Sequence, residues 1–586
     1  MPKGSAMSEA AGITPQACQD RPWISFYAPG VPSKVEKAPF RLLGDMARDL
    51  ARKRGRAKAF TTILPNGMAG SLSFAQVDFL SDAFAAFLRE DLRLAQGDRV
   101  AIQIPNGLAY PIIAFGVFKA GCILVNVNPL YTAHEMAYLF SDAEPAAIIA
   151  IDMFADKLAA ALEIAPIAHV ILTQAAELFP LPRRFLVGFV QKRLKKQIPH
   201  PAFPHITFAR ALSRGTARIR QGLDVARYSA ALDPSAIACL QYTGGTTGVS
   251  KAAMLSHSNL IMNVAQFVCS ACPDVDEKDR VLTVLPLYHV FAFTVNFLGF
   301  FSRGGHNFLV PNPRPLGNLR KAFEKYEITI FTGVNTLFNG LLNESWFRAH
   351  PPRSLRRSWA GGMSLQTCVA KRWQDLVGSP VIEGYGLTEC SPVVAFNPTH
   401  RPKPGTIGVP LPSTEVKCVD GEGHEVALGE AGELVARGPQ TMAGYWRQPG
   451  ETANVLRDGW LHTGDIATMD AEGYFTLVDR AKDMILVSGF NVYPNEVEGV
   501  LAGLPGVKEC AVIGVPDAAS GEVPQAFVVR SDPALTAEAV RRYCKKELAS
   551  YKVPRHIEFR DDLPKSNVGK ILRKDLRLEA AKHRKA

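Results

Sequence analysis

Three threonines, three glycines and a lysine fall within nine residues: Thr243, Gly244, Gly245, Thr246, Thr247, Gly248 and Lys251. Glycines let a backbone turn tightly and approach a ligand closely. Amide N–H groups, hydroxyls and an ammonium on such a loop are the donors that phosphate oxygens need. The spacing is not that of the Walker A loop, where Lys directly follows Gly and precedes Ser or Thr. Here Val249 and Ser250 separate Gly248 from Lys251, and Ala252 follows. An ordinary glycine-rich turn is the competing reading of this stretch taken alone.

Four further clusters carry compatible chemistry. In Glu383-Gly384-Tyr385-Gly386-Leu387-Thr388-Glu389, two glycines flank a tyrosine whose ring can lie flat against a base. Glu389 ends that cluster with hard oxygen ligands suited to Mg²⁺. Residues 460–465 end on Asp465, a carboxylate able to accept both hydroxyls of a ribose. Asp479-Arg480 is a charged pair at a change of pattern. Residues 563–570 form a loop rich in turn residues that holds Lys570 just ahead of a helix. Each has a bland alternative by itself: a common Gly-Tyr-Gly turn, a surface glutamate, one more charge in a basic tail.

The elements that must position these groups are legible as periodicity. An apolar run at 236–240 reads as a buried strand before the glycine loop, with a helix expected from about Ser256. Residues 74–90 have apolar positions at helical spacing, with Ser73 as N-cap. Strands expected at 99–104, 123–128 and 146–151 alternate with helices at 108–121 and 132–141. This βαβαβ rhythm argues an α/β fold of layered, mainly parallel sheets covered by helices. A strand at 474–478 leads into the charged run 479–483, the best boundary. Beyond it lies a small α+β pattern, with a helix opened by Pro494 and another capped by Thr536. The expected division is a disordered N-terminus at 1–30, a large domain at 31–479 and a small mobile domain at 480–586.

A chain of 586 residues is too long for one core. Its 47% hydrophobic and 21% charged residues fit a globular protein. A net charge of +11 suits anionic partners such as nucleotides, CoA or an acidic membrane surface. No nucleic-acid-binding motif accompanies it, so nucleic acid is not expected. The C-x-x-C pair Cys269 and Cys272 lacks a second pair to complete a zinc site, and the scattered cysteines suit a reducing cytoplasm. No apolar run reaches membrane-spanning length. Residues 182–198 read as a basic helix carrying Arg183, Arg184, Lys192, Arg193, Lys195 and Lys196, with Val187, Val190, Leu194 and Ile198 near one stripe. It has two readings: peripheral binding to the anionic inner face of the cell membrane, or a solvated face packed on its own domain.

The five chemical clusters stand in the order and approximate spacing of the adenylate-forming enzymes. These comprise acyl-CoA synthetases, luciferases and peptide-synthetase adenylation domains, and the chain resembles them over roughly residues 40–575. Ala252 stands where that family usually has glycine. Within the family, residues 478–498, 563–573 and the basic insertion look most like bacterial long-chain fatty-acid–CoA ligases.

The resemblance implies a ligase that activates a fatty acid with ATP to acyl-AMP and pyrophosphate, then passes the acyl group to CoA. ATP, Mg²⁺ and CoA as co-substrate are implied with it. By resemblance, 243–251 would hold the triphosphate, and Gly361, Gly362, Gly384 and Tyr385 would line the adenine site. Thr388 would contact the α-phosphate, and Glu389 with Thr243 would hold Mg²⁺. Asp465 and Arg480 would bind the ribose. Lys482 would be a hinge, and Lys570 would stabilise charge during adenylation. Ser488, Gly489 and Phe490 would border a CoA passage after domain rotation, and His289 would sit at the acyl pocket. Alternatives are a medium-chain or aryl acid ligase, or a peripheral lipid-binding protein without catalysis. The oligomeric state is open, a homodimer being one option.

Overall fold

Short runs rich in Val, Ile and Ala alternate with apolar helices through the first 400 residues, and in the structure they form two large sheets. The structure is a computed structural model and describes residues 21–243, 250–271, 275–517, 520–566 and 568–585. One sheet has seven strands, running in space from Ile206–Thr207 through His169–Thr173, Ala147–Ile151, Arg99–Gln103, Ile123–Asn126 and Ile237–Tyr242 to Ala252–Ser256. All neighbours are parallel except the last pair. The other sheet has nine strands, with a parallel centre from Val381–Gly386 to Lys58–Ile63 and antiparallel edges.

Helices fill the space between these sheets. Every residue of Ala109–Lys119 is buried, as the absence of a polar stripe in AYPIIAFGVFK requires. Phe115 and Phe301 meet at 4.9 Å between ring centres, and Phe60 stacks on Phe301 at 5.6 Å. The one charge on the helix, Lys119, is wholly buried and paired with Asp78 at 2.5 Å and Asp82 at 2.8 Å. A buried ammonium needs such partners to offset its desolvation. Ser73 caps Phe74–Ala86 as expected: its hydroxyl accepts from the Gln76 N–H while the Gln76 side chain reaches back.

A third, antiparallel sheet of five strands spans Glu415–Val419 to Phe475–Arg480. The smaller C-terminal domain carries a fourth sheet, with Gly521–Arg530 at its centre between Val507–Asp517 and His556–Arg560, and helices Pro494–Ala502, Ala537–Glu547 and Arg573–Lys585 around it. It has its own apolar core, including Ile485, Val497, Leu501, Val512, Val528 and Val540.

The N-terminus differs from its expected disorder. Residues 1–20 lie outside the described residues, but 21–30 pack against the large domain. Trp23 and Ile24 are buried in a short turn, Pro22–Phe26. The Tyr27 hydroxyl donates to Pro410 O at 2.8 Å. Aromatic burial outweighs the polar composition that surrounds it.

Candidate active site

The strands on either side of the glycine-rich stretch, Ile237–Tyr242 and Ala252–Ser256, pair antiparallel. Tyr242 pairs with Ala252, and the Thr243 N–H donates to Lys251 O at 2.8 Å, closing the loop. The helix begins one strand later, at His257. Gly244, Gly245, Thr246, Thr247 and Gly248 lie outside the described residues. Ala252 sits in a strand, an extended setting that tolerates a methyl. It is fully buried, and its carbonyl accepts from the Trp446 N–H at 2.8 Å.

A cavity of about 1560 Å³ gathers the predicted side chains. Thr243, Lys251, His289, Gly361, Gly362, Gly384, Tyr385, Thr388, Glu389, Asp465, Arg480, Lys482 and Lys570 all line it. Adjacent parallel strands, Arg357–Ala360 and Val381–Gly386, bring Gly361 and Gly384 to neighbouring ends. Glycine is needed at 384, because a Cβ there would lie 2.6 Å from the Phe396 ring. The Tyr385 hydroxyl donates to Asp465 at 2.6 Å. Asp465 and Arg480 face each other across paired strands, with Arg480 Nε 3.1 Å from the other carboxylate oxygen. Asp465 is thus engaged at both oxygens.

On the opposite side of the tyrosine turn, Glu389 follows Thr388 in a 3₁₀ turn. Its carboxylate accepts from the Tyr445 hydroxyl at 2.6 Å. Lys251 lies over the same Tyr445 ring, 5.3 Å from its centre, and forms an ion pair with Glu451. Tyr445 and Glu451 were not foreseen in the sequence. Tyr445 follows a glycine, a modest turn signal, whereas nothing local distinguishes Glu451.

Lys570 reaches the cavity from the small domain. Gly569 has φ +86°, a left-handed turn that favours glycine. Its carbonyl accepts from the Thr336 hydroxyl of the large domain at 2.9 Å. The Lys570 N–H donates to Ser566 Oγ at 3.1 Å, tightening the loop. Desolvation, reinforced by Arg480, lowers the Lys570 pKa to about 8, with Asp465 opposing. Burial also lowers His289 to about 4, with Lys570 adding to the effect, so its imidazole is neutral at pH 7. Glu383 was foreseen only as the start of a motif. Burial raises its carboxyl to about 8, against one hydrogen bond from the Leu365 N–H at 3.1 Å.

The charged boundary is clasped by one residue of the C-terminal helix. Arg573 donates to Asp479 at 3.1 Å, Asp483 at 3.3 Å and Glu498 at 2.7 Å. Lys482 lies between the two aspartates, exposed at the cavity rim. Ser488, Gly489 and Phe490 are not among the lining residues. They form a turn on the small domain, where Phe490 is 57% exposed and stacks on Tyr551 at 5.0 Å.

These groups fit a polyphosphate with a hard divalent cation. Glu389, Thr388 and Thr243 supply oxygen donors, and Lys251, Arg480 and Lys570 supply positive charge around one space.

Comparison with known proteins agrees with this geometry. The AMP-binding enzyme family matches residues 48–446, and the AMP-binding enzyme C-terminal domain matches 496–570. The chain belongs to the AMP-binding, adenylate-forming enzyme family. It is 46% identical over 561 residues to a long-chain-fatty-acid–CoA ligase of Escherichia coli O157:H7, covering 95% of this chain and 98% of the relative. It is 37% identical over 565 residues to the long-chain-fatty-acid–CoA ligase of Bacillus subtilis (strain 168), covering 95% and 97%. Among solved structures, the anthranilate CoA ligase AuaEII in complex with anthranoyl-AMP aligns with TM-score 0.81 and 26% identity, over 93% of this chain and 98% of that one. ATP-bound MatB from Rhodopseudomonas palustris aligns with TM-score 0.77 and 28% identity, over 92% and 98%.

Proposed function

We propose that the chain is an AMP-forming long-chain fatty acid:CoA ligase. The observation that carries the reading is the entry of Lys570, from the small domain, into the cavity that holds Asp465 and Glu389 in the large one. The likeness to long-chain-fatty-acid–CoA ligases over nearly the whole chain supports the substrate class.

A carboxylate is a poor acyl donor because its leaving group would be oxide. Joining it to the α-phosphate of ATP expels pyrophosphate and gives acyl-AMP, from which the CoA thiol can displace AMP. The first step brings two anions together, so cations aimed at the developing charge are the main requirement. Lys570 and Lys251 serve that role, and Thr388 contacts the α-phosphate. Asp465 and Arg480 hold the ribose, while Gly361, Gly362, Gly384 and Tyr385 form the adenine slot. Residues 243–251 hold the triphosphate, and His289 borders the acyl pocket. Glu389 and Thr243 would hold Mg²⁺, which would supply charge neutralisation at the phosphate oxygens.

The second step needs a different group at the same centre. Taking 31–479 and 480–586 as the two domains, rotation about Lys482 would withdraw Lys570 and bring Ser488, Gly489 and Phe490 to a CoA passage. ATP–pyrophosphate exchange across acids from C4 to C18 plus benzoate, with and without CoA, tests the assignment. Exchange peaking with long-chain acids, and thioester forming only with CoA, is expected. Exchange confined to short or aromatic acids would replace the substrate.

We also assign residues 182–198 to peripheral contact with an anionic membrane. No helix among the described residues is long and apolar enough to cross a membrane. Leu181–Phe189 and the turn after it bury only Val187, leaving Phe185 at 72% and Leu194 at 67% exposure. Of the stripe Val187, Val190, Leu194 and Ile198, only Val187 is buried. Apolar side chains beside Lys192, Arg193, Lys195 and Lys196, which make no ion pair among the described residues, suit a lipid surface. Neutralising the six basic residues should abolish co-sedimentation with anionic vesicles; equal binding would remove the assignment.

A further inference from the structure

Away from the active-site cavity lies a second cleft, of about 1590 Å³. Its walls are the 32–41 loop, one face of helix Leu43–Arg54 and the outer face of helix His257–Ala271. Eight Lys and Arg side chains line it against three carboxylates. That local excess of five positive charges compares with +11 for the whole chain.

Gathering these charges is unfavourable without a ligand. Arg48 and Arg52 stand one helical turn apart, a like-charge spacing that destabilises a helix. Asp45 engages one nitrogen of Arg48 at 3.1 Å. The other, Nη2, is buried with no hydrogen-bond partner among the described residues, a costly state for a charged donor. Lys34, Lys37 and Arg52 also make no ion pair among the described residues. Several positive charges in a cleft with low-dielectric walls focus their field and concentrate multivalent anions. The floor is partly apolar, with Ile24, Val264 and Val268 beside the cations.

We infer that this cleft is a second anion site, which takes a soluble organic polyphosphate. A bilayer does not suit it, because the surface is concave and the exposed Phe185, Leu186 and Phe189 lie on another segment. A single phosphate would leave most of the volume and charge unused. A chain of phosphates reaching from Lys34 and Lys37 to Arg48 and Arg52 would use both. An attached base or acyl group would lie on the apolar floor. The inference does not depend on the acid that the ligase activates.

The test is calorimetric titration of the full chain, its adenylate site filled with a non-hydrolysable acyl-adenylate analogue. The probes are inorganic tripolyphosphate and GTP at 0.15 M salt, an ionic strength at which screening is about 8 Å. The site predicts binding of either probe that weakens at least about tenfold in the triple variant Lys34→Gln, Lys37→Gln, Arg52→Gln, as the loss of three charges requires. Pyrophosphate exchange at saturating ATP should be unchanged in that variant, which also reports that it folds. Tighter binding of GTP than tripolyphosphate would assign the floor to the base; equal binding would assign the site to the phosphate chain alone. No binding, or equal binding by wild type and variant, would overturn the inference.

Discussion

The hydroxyl of Tyr445 donates to the carboxylate of Glu389 across 2.6 Å, fixing the side chain proposed to hold Mg²⁺. Partners of this kind orient a ligand and typically alter metal affinity by 10–100-fold when removed. Tyr445→Phe should therefore raise the Mg²⁺ concentration for half-maximal pyrophosphate exchange about tenfold, leaving the fatty-acid KM unchanged. An unaltered Mg²⁺ dependence would show that the contact is only structural.

Lys251 forms an ion pair with Glu451. A triphosphate bound as proposed would displace that carboxylate. Both partners are part-exposed, so solvent screens the pair and its strength is about 0.2–1 kcal/mol. Glu451→Gln should lower the KM for ATP about two- to fivefold with kcat little changed. A KM that rises instead would mean that Glu451 positions Lys251 and does not compete for it.

Lys570→Ala should slow acyl-AMP formation about 10²–10³-fold, the usual effect of losing a donor aimed at developing charge. Thioester formation from supplied acyl-AMP should be largely spared. Equal damage to both half-reactions would contradict the assigned role. The pH profile supplies a second reading. Lys570 is charged below about 8 and neutral above it, so kcat/KM for the first half-reaction should fall as pH rises through about 8. Lys570→Arg should shift that alkaline limb upward even though the rate drops.

Glu383 makes stability depend on pH in the opposite sense to a surface carboxylate. Its folded pKa of about 8 lies above the ordinary glutamate value of about 4.5. Between those values the folded state holds a proton that the unfolded state has released, so stability falls as pH rises. The shift corresponds to roughly 3–5 kcal/mol once both states are ionised. Glu383→Gln keeps an acceptor for the Leu365 N–H and removes the titration. Its gain in Tm over wild type should be larger at pH 8 than at pH 5. A gain independent of pH would place the effect in packing.

Much of this arrangement was legible because local chemistry announces it. Ser73 marks a helix start, and Pro494 marks another. The alternation of apolar runs with helical stretches gave the parallel sheet around Arg99–Gln103 and Ile123–Asn126. Lys570 and Glu389 are legible through their motifs alone, and both line one cavity although they stand far apart along the chain. What escaped notice depends on tertiary approach. Glu451 reaches Lys251 across 200 residues, and Tyr445 reaches Glu389 across 56. The strand Ala252–Ser256 was hidden because five residues are too few to separate strand from helix by period. Ordering of Trp23 needed knowledge of the Phe475 ring that it meets edge-on at 6.2 Å.

The grip of Arg573 on Asp479, Asp483 and Glu498 spans both sides of Lys482. It sets a condition on building chimeras. A transplant beginning at Lys482 would carry Arg573 away from its own Asp479 and leave the recipient to supply a matching carboxylate. A seam placed upstream of Asp479 keeps the clasp within one parental sequence. The natural unit of exchange thus extends past 480–586 to take in at least Asp479 of strand Phe475–Arg480.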